Sequence, residues 1–431
     1  MLELMNFDVV VIGLGYVGLP LAHTACEAGL KVAGLDLNLT VVNGLNDGIS
    51  HVDDLSNDDV SAMLAHGFSA SSDASILADA DVAVICVPTP LSPDAGPDLG
   101  AVIGATRAVA QHIHPGMLVI LESTTYPGTT EEVVQPILEE SGLKAGVDFD
   151  LAFSPERIDP GNAVWGMKNT PKVVGGSTPE ATERAAKFYG RFVDTVVQAK
   201  GTREAELAKL LENTYRHVNI ALMNELVEFS HLLDVDLWDA INCASTKPFG
   251  FQAFYPGPGV GGHCIPIDPN YLSHHVKTVL GRPFRFIELA QEINEGMPSY
   301  VRSRIQDALN DQSKSLRGSA ILLLGVTYKP DIADQRESPV RPLARELMVD
   351  GASVEFFDPF VAQWNIDSDH GLEDGDRVLA CVENLDDAID RADIVVLLQP
   401  HKTFDLEAIK AKSKVVLDTR GKLDGPNVIR L

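Results

Sequence analysis

The stretch from Asp8 to Asp36 constrains the fold more than any other part of the chain. Asp8-Val-Val-Val-Ile12 is the run of β-branched residues expected of a strand buried on both faces of a parallel sheet, and Gly13-Leu14-Gly15-Tyr16-Val17-Gly18 follows it directly. Leu19 to Ala28 then has helical character, Gly29 closes it, and Lys31 to Asp36 reads as a second strand ending in a carboxylate. This is the βαβ unit that holds a dinucleotide. Its glycines allow a tight turn and a close pyrophosphate, its helix N-terminus offers N–H groups to the phosphates, and its acid meets a ribose. Glycine spacing alone is weak evidence, but the strand before it and an acid eighteen residues after Gly18 make it specific. Asp36 would accept from a ribose 2′-hydroxyl and repel a 2′-phosphate, and no arginine sits just beyond it, so the cofactor read is NAD. Gly13, Leu14, Gly15, Tyr16, Val17, Gly18 and Asp36 are the expected contacts.

Further strands are expected at Asp81–Val87, Leu118–Leu121 and Phe149–Phe153. Ligands bind beyond the carboxyl ends of such strands, which places Thr89 and Thr124 to hydrogen-bond cofactor or substrate. Thr129 and Thr130, ahead of Glu131-Glu132, fit helix capping better. From Arg203 to Leu233 no Gly or Pro interrupts a helical pattern with apolar residues at Leu207, Leu210, Leu211, Tyr215, Val218 and Leu222. Such a helix suits a spacer between domains and a dimer surface. Lys209 and Asn213 share one of its faces, and spacing alone reads that face as solvated. After a linker edge at Asp311–Gly318, strands at Ala320–Leu324, Val354–Asp358, Ile394–Leu398 and Val415–Asp418 repeat the α/β pattern without a second GxGxxG. Lys329, Arg336 and Arg341 bring positive charge to that half, suited to a phosphate or pyrophosphate. The expected organisation is α/β: two Rossmann-like doubly wound parallel-sheet domains joined by a long central helix and a helical dimerisation region. The boundaries read as 1–200 for NAD, 201–312 for the helix, cysteine loop and dimer contacts, and 313–431 for the nucleotide sugar.

A net charge of −27 argues against nucleic acid and anionic membranes as partners, though not against a small anion met by local cations. No apolar run is long enough to span a membrane, and the acidic start with a glycine break after Ile12 does not read as a signal peptide. Five scattered cysteines without CxxC spacing suit a reducing cytoplasm and offer neither disulfide framework nor metal site. Cys86, inside a strand, reads as core. His274-His275 reads as a surface pair.

Phe254-Tyr255-Pro-Gly-Pro-Gly-Val-Gly261-Gly-His263-Cys264-Ile-Pro-Ile267-Asp268-Pro269 places one cysteine behind a glycine-walled loop, with a carboxylate four residues on. Glycine serves where backbone must approach something closely, so the loop reads as a pocket wall presenting Cys264 as a nucleophile; the alternative is a rigid loop around an ordinary buried cysteine. An alcohol dehydrogenase needs no thiol. An aldehyde is different: a thiolate adds to it, the adduct gives up hydride, and the thioester is hydrolysed. Lys209 and Asn213 are candidates to hold the tetrahedral oxygen, and Glu156 or Asp268 to activate the water.

Gly13-Leu-Gly-Tyr-Val-Gly-Leu-Pro20, Ser154-Pro-Glu156-Arg157, Glu206-Leu-Ala-Lys209-Leu-Leu-Glu-Asn213, Gly261-Gly-His-Cys264-Ile-Pro-Ile-Asp268-Pro269 and Gly325-Val-Thr-Tyr-Lys329 through Arg336-Glu-Ser-Pro339 resemble the nucleotide-sugar 6-dehydrogenases in family order along almost the whole chain. The resemblance implies a four-electron oxidation of a sugar C6 alcohol to a carboxylate with two NAD and one water. By position, Cys264 would be the nucleophile, and Lys209 and Asn213 would hold the reacting oxygen. Asp268 would support the water and the lysine, and Thr124 and Glu156 would serve proton transfer and thioester hydrolysis. Lys329, Tyr255 and Gly261 would meet substrate, as would Arg157 unless it only forms a surface ion pair, with Arg336 on the cofactor side, and the long helix would form a homodimer or higher homo-oligomer.

Pro160 and Ile267 stand where UDP-glucose enzymes of this group carry glutamate and lysine. His263-Cys264-Ile265 and Thr246-Lys-Pro-Phe-Gly-Phe251 resemble the UDP-N-acetylglucosamine and N-acetylmannosamine branch, with the gluco sugar as first choice and surface polysaccharide precursors as the implied product class. UDP-glucose is a further alternative. A catalytically silent NAD-binding scaffold is the reading of another class, and a two-electron sugar or hydroxyacid dehydrogenase would leave the cysteine loop unexplained.

Overall fold

The computed structural model describes residues 7–52, 54–92, 96–158, 162, 164–262, 264–367 and 376–431. Pro160 and His263 lie outside them. Two compact units divide the chain: Met1–Glu212 with Asn270–Leu280, and Asn213–Pro269 with Gly281–Leu431. The division runs through two helices, Thr202–Leu232 and Asp268–Leu280, each contributing to both units.

In the first unit, strands β1 (Val9–Ile12), β2 (Val32–Leu35), β3 (Ser69–Ser71), β4 (Val82–Ile85), β5 (Leu118–Leu121), β6 (Asp150–Phe153), β7 (Lys172–Gly176) and β8 (Val196–Gln198) form one sheet. Its order is β3-β2-β1-β4-β5-β6-β7-β8, parallel except between β6 and β7, so the first six strands have the Rossmann order with a switch point between β1 and β4. β1, β2, β4 and β5 are buried throughout, as strands covered on both faces must be.

In the second unit, β9 (Ala320–Leu324), β10 (Ser353–Phe357), the antiparallel pair β11 (Gln363–Asn365) and β12 (Val378–Ala380), β13 (Ile394–Leu397), β14 (Val416–Asp418) and β15 (Val428–Arg430) follow in sequence. The five-stranded sheet β10-β9-β13-β14-β15 is parallel, with its own switch point between β9 and β13. Both units close the first turn alike. Gly13 (φ 88) and Gly325 (φ 79) leave their strands with positive φ, and the next N–H, of Leu14 or Val326, donates to Asp36 (2.9 Å) or Asp358 (2.8 Å). In the second unit that acid is sealed: Asp358 is fully buried and takes His401 Nε2 at 3.1 Å. That carboxylate is closed to a ribose, whereas Asp36 is only partly buried.

Three expectations are corrected. Thr129 and Thr130 do not cap their helix with their own hydroxyls. The carboxylate of Glu206, from the long helix, takes the N–H groups of Gly128 and Thr130 and the Thr130 hydroxyl. A carboxylate carries more charge to a helix N-terminus than a hydroxyl, and it arrived from 76 residues away, beyond any local motif. His274 and His275 are half-buried rather than a surface pair: His275 stacks on Tyr126 with centroids 4.3 Å apart, and His274 faces Gly96. Arg341 is buried and donates to the carbonyls of Asn365 and Gln335, so it braces the fold instead of facing a phosphate.

Burial pushes Glu206 up to about 7 despite its three donors. A carboxyl raised on folding binds a proton in the native state that the unfolded chain releases above its ordinary value of 4.5, so its contribution to stability falls as pH rises from 4.5 to about 7. Urea unfolding across this window should show a smaller pH-dependent loss in Glu206→Gln than in the parent protein. An identical slope in both would contradict the assignment.

Candidate active site

The fingerprint turn is compact on one side and open on the other. A Cβ on Gly13 would meet the Cys86 carbonyl oxygen at 2.8 Å, and one on Gly18 would lie 1.9 Å from the Gly13 carbonyl oxygen. A Cβ on Gly15 would meet nothing within 4 Å. The first and third glycines thus pack the turn against β4 and the helix Gly18–Glu27, and the middle one leaves room for a close approach of pyrophosphate. Val17, at the N-cap of that helix, makes no side-chain capping hydrogen bond. Asp36 braces the turn with Oδ2 on Leu14 N–H and Oδ1 on Asn38 N–H, each oxygen retaining a lone pair for a ribose hydroxyl. These residues fit a dinucleotide.

Beyond β4 and β5, Thr89 Oγ1 donates to the Thr124 carbonyl at 2.9 Å, and the Thr89 carbonyl accepts the Tyr271 hydroxyl. The two loops expected to meet the cofactor are therefore tied together, with Thr124 half-buried and Thr89 nearly closed off. After β6, Glu156 Oε1 takes the N–H groups of Arg157 and Ile158 and its Oε2 takes Lys172. Arg157 is ion-paired with Glu212 at 2.7 Å and donates to the Pro171 carbonyl. The sequence signalled Glu156 but not the buried Lys172, Glu122 and Tyr189 behind it, which come from strands and a helix far apart in the chain.

Lys209 (8% exposed) and Asn213 (7%) are buried, which corrects the solvated face expected from spacing. The long helix buries polar and apolar residues together. Glu206, Lys209, Asn213, His217 and Asn224 are buried there beside Leu210, Ala221, Met223 and Val227, while Leu207, Leu211, Tyr215, Leu222, Leu226 and Phe229 are exposed.

The second unit builds the cysteine end. The Asp268 N–H donates to the Cys264 carbonyl at 2.8 Å, so the two residues sit one helical turn apart, the thiol-bearing residue exposed and the carboxylate buried. Asn213 Nδ2 donates to Asp268 Oδ2 at 2.5 Å, fixing that carboxylate from the long helix. The loop glycines prove to be walls pressed against protein: Cβ atoms on Gly261 and Gly262 would meet Tyr328 at 2.8 Å, and one on Gly259 would meet Pro339 at 2.9 Å. The Gly257 N–H is held by buried Asn224. The glycine loop and the Lys329 loop thus converge within one unit. Gln399 donates to the Tyr328 carbonyl and His401 Nδ1 accepts the Asp331 N–H, which brace the Lys329 loop. Arg336 is paired with Asp334. Arg420, not singled out from the sequence, lies with Nη1 2.7 Å from where a Gly257 Cβ would be, and burial pushes it down to about 10. Its only signal was a strand ending in Asp418-Thr-Arg420-Gly. Tyr255 stacks on Trp238.

Three segments match one family in order: the NAD binding domain of the UDP-glucose/GDP-mannose dehydrogenase family at residues 7–193, its central domain at 203–296 and its UDP binding domain at 322–425. The chain belongs to this family. As a member it is an NAD-dependent oxidoreductase with an NAD-binding and a UDP-binding domain. It is 34% identical to a UDP-N-acetyl-D-mannosamine dehydrogenase of Pyrococcus horikoshii over 97% of each chain. It is 36% identical to a UDP-N-acetyl-D-glucosamine 6-dehydrogenase of Pseudomonas aeruginosa, over 85% of this chain and 86% of that one. The solved UDP-D-ManNAc dehydrogenase structure from Pyrococcus horikoshii superimposes with a TM-score of 0.87 at 32% identity, covering 98% of each. Both family Rossmann sheets expected from the sequence are thereby present. Among the described residues, no helix is long and apolar enough to cross a membrane.

Proposed function

We propose that this member of the family oxidises the C6 hydroxyl of a UDP-N-acetylhexosamine to the carboxylate through covalent intermediates on Cys264. UDP-N-acetylglucosamine is the first-choice substrate and a surface-polysaccharide precursor the product. The observation that carries the reading is the Cys264–Asp268 turn with its carboxylate held by Asn213: a nucleophile and a buried acid fixed one turn apart. Whole-length likeness to a UDP-N-acetyl-D-mannosamine dehydrogenase favours the manno epimer as second reading.

The fingerprint residues Gly13 to Gly18 and Asp36, with Thr89, Thr124 and Arg336, hold NAD, which supplies a hydride acceptor at each of the two oxidations. Lys209 and Asn213 hold the C6 oxygen, first as the alcohol and then as the anionic adduct. Thr124 and Glu156 pass the departing protons. Cys264 Sγ adds to the aldehyde carbon, the adduct loses hydride from C6, and a thioester remains. Glu156 takes a proton from water as its oxygen attacks the thioester carbonyl; the C–S bond breaks and the thiolate leaves on Cys264. Asp268 orders that water and the Lys209 ammonium. Lys329, Arg157, Tyr255 and the backbone at Gly261 hold the nucleotide sugar, and residues 201–312 carry both chemistry and assembly. Cytoplasmic operation suits the scattered thiols. A panel of UDP-N-acetylglucosamine, UDP-N-acetylmannosamine, UDP-glucose and GDP-mannose, followed by NADH absorbance, should show turnover greatest with an N-acetylhexosamine. No turnover with any of them would favour the silent scaffold.

The exposed apolar stripe of the long helix supports assembly as a homodimer. Leu222, Leu226 and Phe229 are more than a third exposed, with Phe249 and Phe251 exposed nearby in sequence. Leu222→Glu with Phe229→Glu should convert the protein to a monomer in analytical ultracentrifugation. An unchanged sedimentation coefficient would place the interface elsewhere.

A further inference from the structure

Lys172, the first residue of β7, has a side chain only 4% exposed and lies between two carboxylates, 3.0 Å from Glu122 Oε2 and 3.1 Å from Glu156 Oε2. Glu122, at the end of β5, is itself fully buried and takes the Tyr189 hydroxyl on its other oxygen. Buried ion pairs of this kind contribute little beyond what apolar packing of the same volume would, so their presence beside a reacting group points to chemistry. We propose that Lys172, backed by Glu122 and Tyr189, is a positioning residue for Glu156, fixing the aim of that carboxylate and the pH at which it accepts the proton of the attacking water. This rests on the hydrolytic role given above to Glu156.

The electrostatics agree with the geometry. Glu156 faces Lys172 from β7 and Lys209 from the long helix, with Glu122 from β5, Cys86 from the end of β4 and Tyr189 from the helix Pro179–Tyr189 around them. Burial raises Glu156, but the Lys172 charge, the Ile158 N–H and the Lys209 charge more than offset it, leaving the group below its ordinary value. For Glu122 burial prevails over Lys172, and its carboxyl is raised. Cys86 and Tyr189 are pushed well up by burial and stay protonated. The two carboxyls that share one lysine are thus driven apart, and Glu156 is the one kept as a base. The proton moves from water to Glu156 with no change of oxidation state, and the thiolate of Cys264 is the leaving group.

The test is intact-mass detection of the acyl adduct on Cys264 during turnover of a UDP-N-acetylhexosamine with NAD, between pH 6 and 9. Lys172→Met should accumulate adduct at pH 6, with acid release slowed by roughly a hundredfold, the scale of a general base lost to protonation. The adduct should fade toward pH 9 as Glu156 ionises, and Lys172→Arg should restore the parent profile. Should Lys172→Met fail to fold because it strands Glu122, the double variant Glu122→Gln with Lys172→Met removes cation and carboxylate together and carries the same expectation. Glu156→Gln should accumulate adduct at every pH. If it does not, the role of Glu156 itself is wrong. If it does, while the Lys172 variants clear adduct like the parent or retain it equally at all pH values, only the proposal for Lys172 is overturned.

Discussion

Cys264→Ser is expected to lower complete turnover by about a thousandfold or more, the scale on which enzymes lose an activated nucleophile. A serine hydroxyl at this position is a far weaker nucleophile than a thiolate and leaves an ester where the parent forms a thioester, so the second oxidation and the hydrolysis both suffer. Because Cys264 is exposed and its turn is closed through its backbone carbonyl, the substitution leaves the Asn213–Asp268 bond and the fold in place. The thermal midpoint should therefore stay within a degree or so of the parent, the usual result for an exposed substitution away from a special feature. Steady-state NADH production beside a calorimetric scan checks both parts. Full activity in the serine variant would remove the cysteine from the mechanism.

Gly18→Ala is expected to destroy the NAD site and destabilise the first unit by about 3 kcal/mol or more, the range for overpacking against atoms that cannot yield. The new Cβ would lie 1.9 Å from the Gly13 carbonyl oxygen and 3.1 Å from the Cys86 Cβ. The nearer partner is backbone at a turn whose φ of 88° leaves no slack, so relief requires the helix Gly18–Glu27 to draw back from β1 and β4. The pyrophosphate position moves with it. Gly15→Ala is the informative companion: its Cβ has open space, so it should fold normally and lose affinity only through contact with the cofactor. Urea unfolding and NAD titration of the two variants separate packing from contact.

The first Rossmann unit was readable because its signals are local: a β-branched strand, three glycines and an acid within 29 residues that all describe one βαβ turn. The repeat in the second half was also readable, but the sealing of Asp358 by His401 was not, since 43 residues separate them. The long helix shows where periodicity misleads. Its spacing predicted the helix to within a residue at each end, yet an apolar stripe does not say what it faces. Here Leu211, Leu222 and Phe229 are exposed, while Glu206, Lys209 and Asn213 are buried along with Leu210, Met223 and Val227, so the buried side mixes charged, polar and apolar residues. Spacing alone put Lys209 and Asn213 on a solvated face, and the structure buries both. The Lys172 cluster was invisible for the reason that hid the Glu206 cap: partners drawn from separate strands and helices leave no spacing to read. The glycines of the cysteine loop were recognised as a site of close approach, but what approaches is Tyr328 and Pro339 of the same unit.

On the proposed mechanism one active site carries an alcohol through an aldehyde and a thioester to an acid. Its most direct measurement is the ratio of NADH formed to sugar consumed when a limiting amount of UDP-N-acetylhexosamine is driven to completion with excess NAD. About two NADH per sugar are expected, with the uronic acid as the only product, by the stoichiometry of a four-electron oxidation. A ratio of about one, with aldehyde or ketone accumulating, would contradict it and leave the cysteine loop without a reaction.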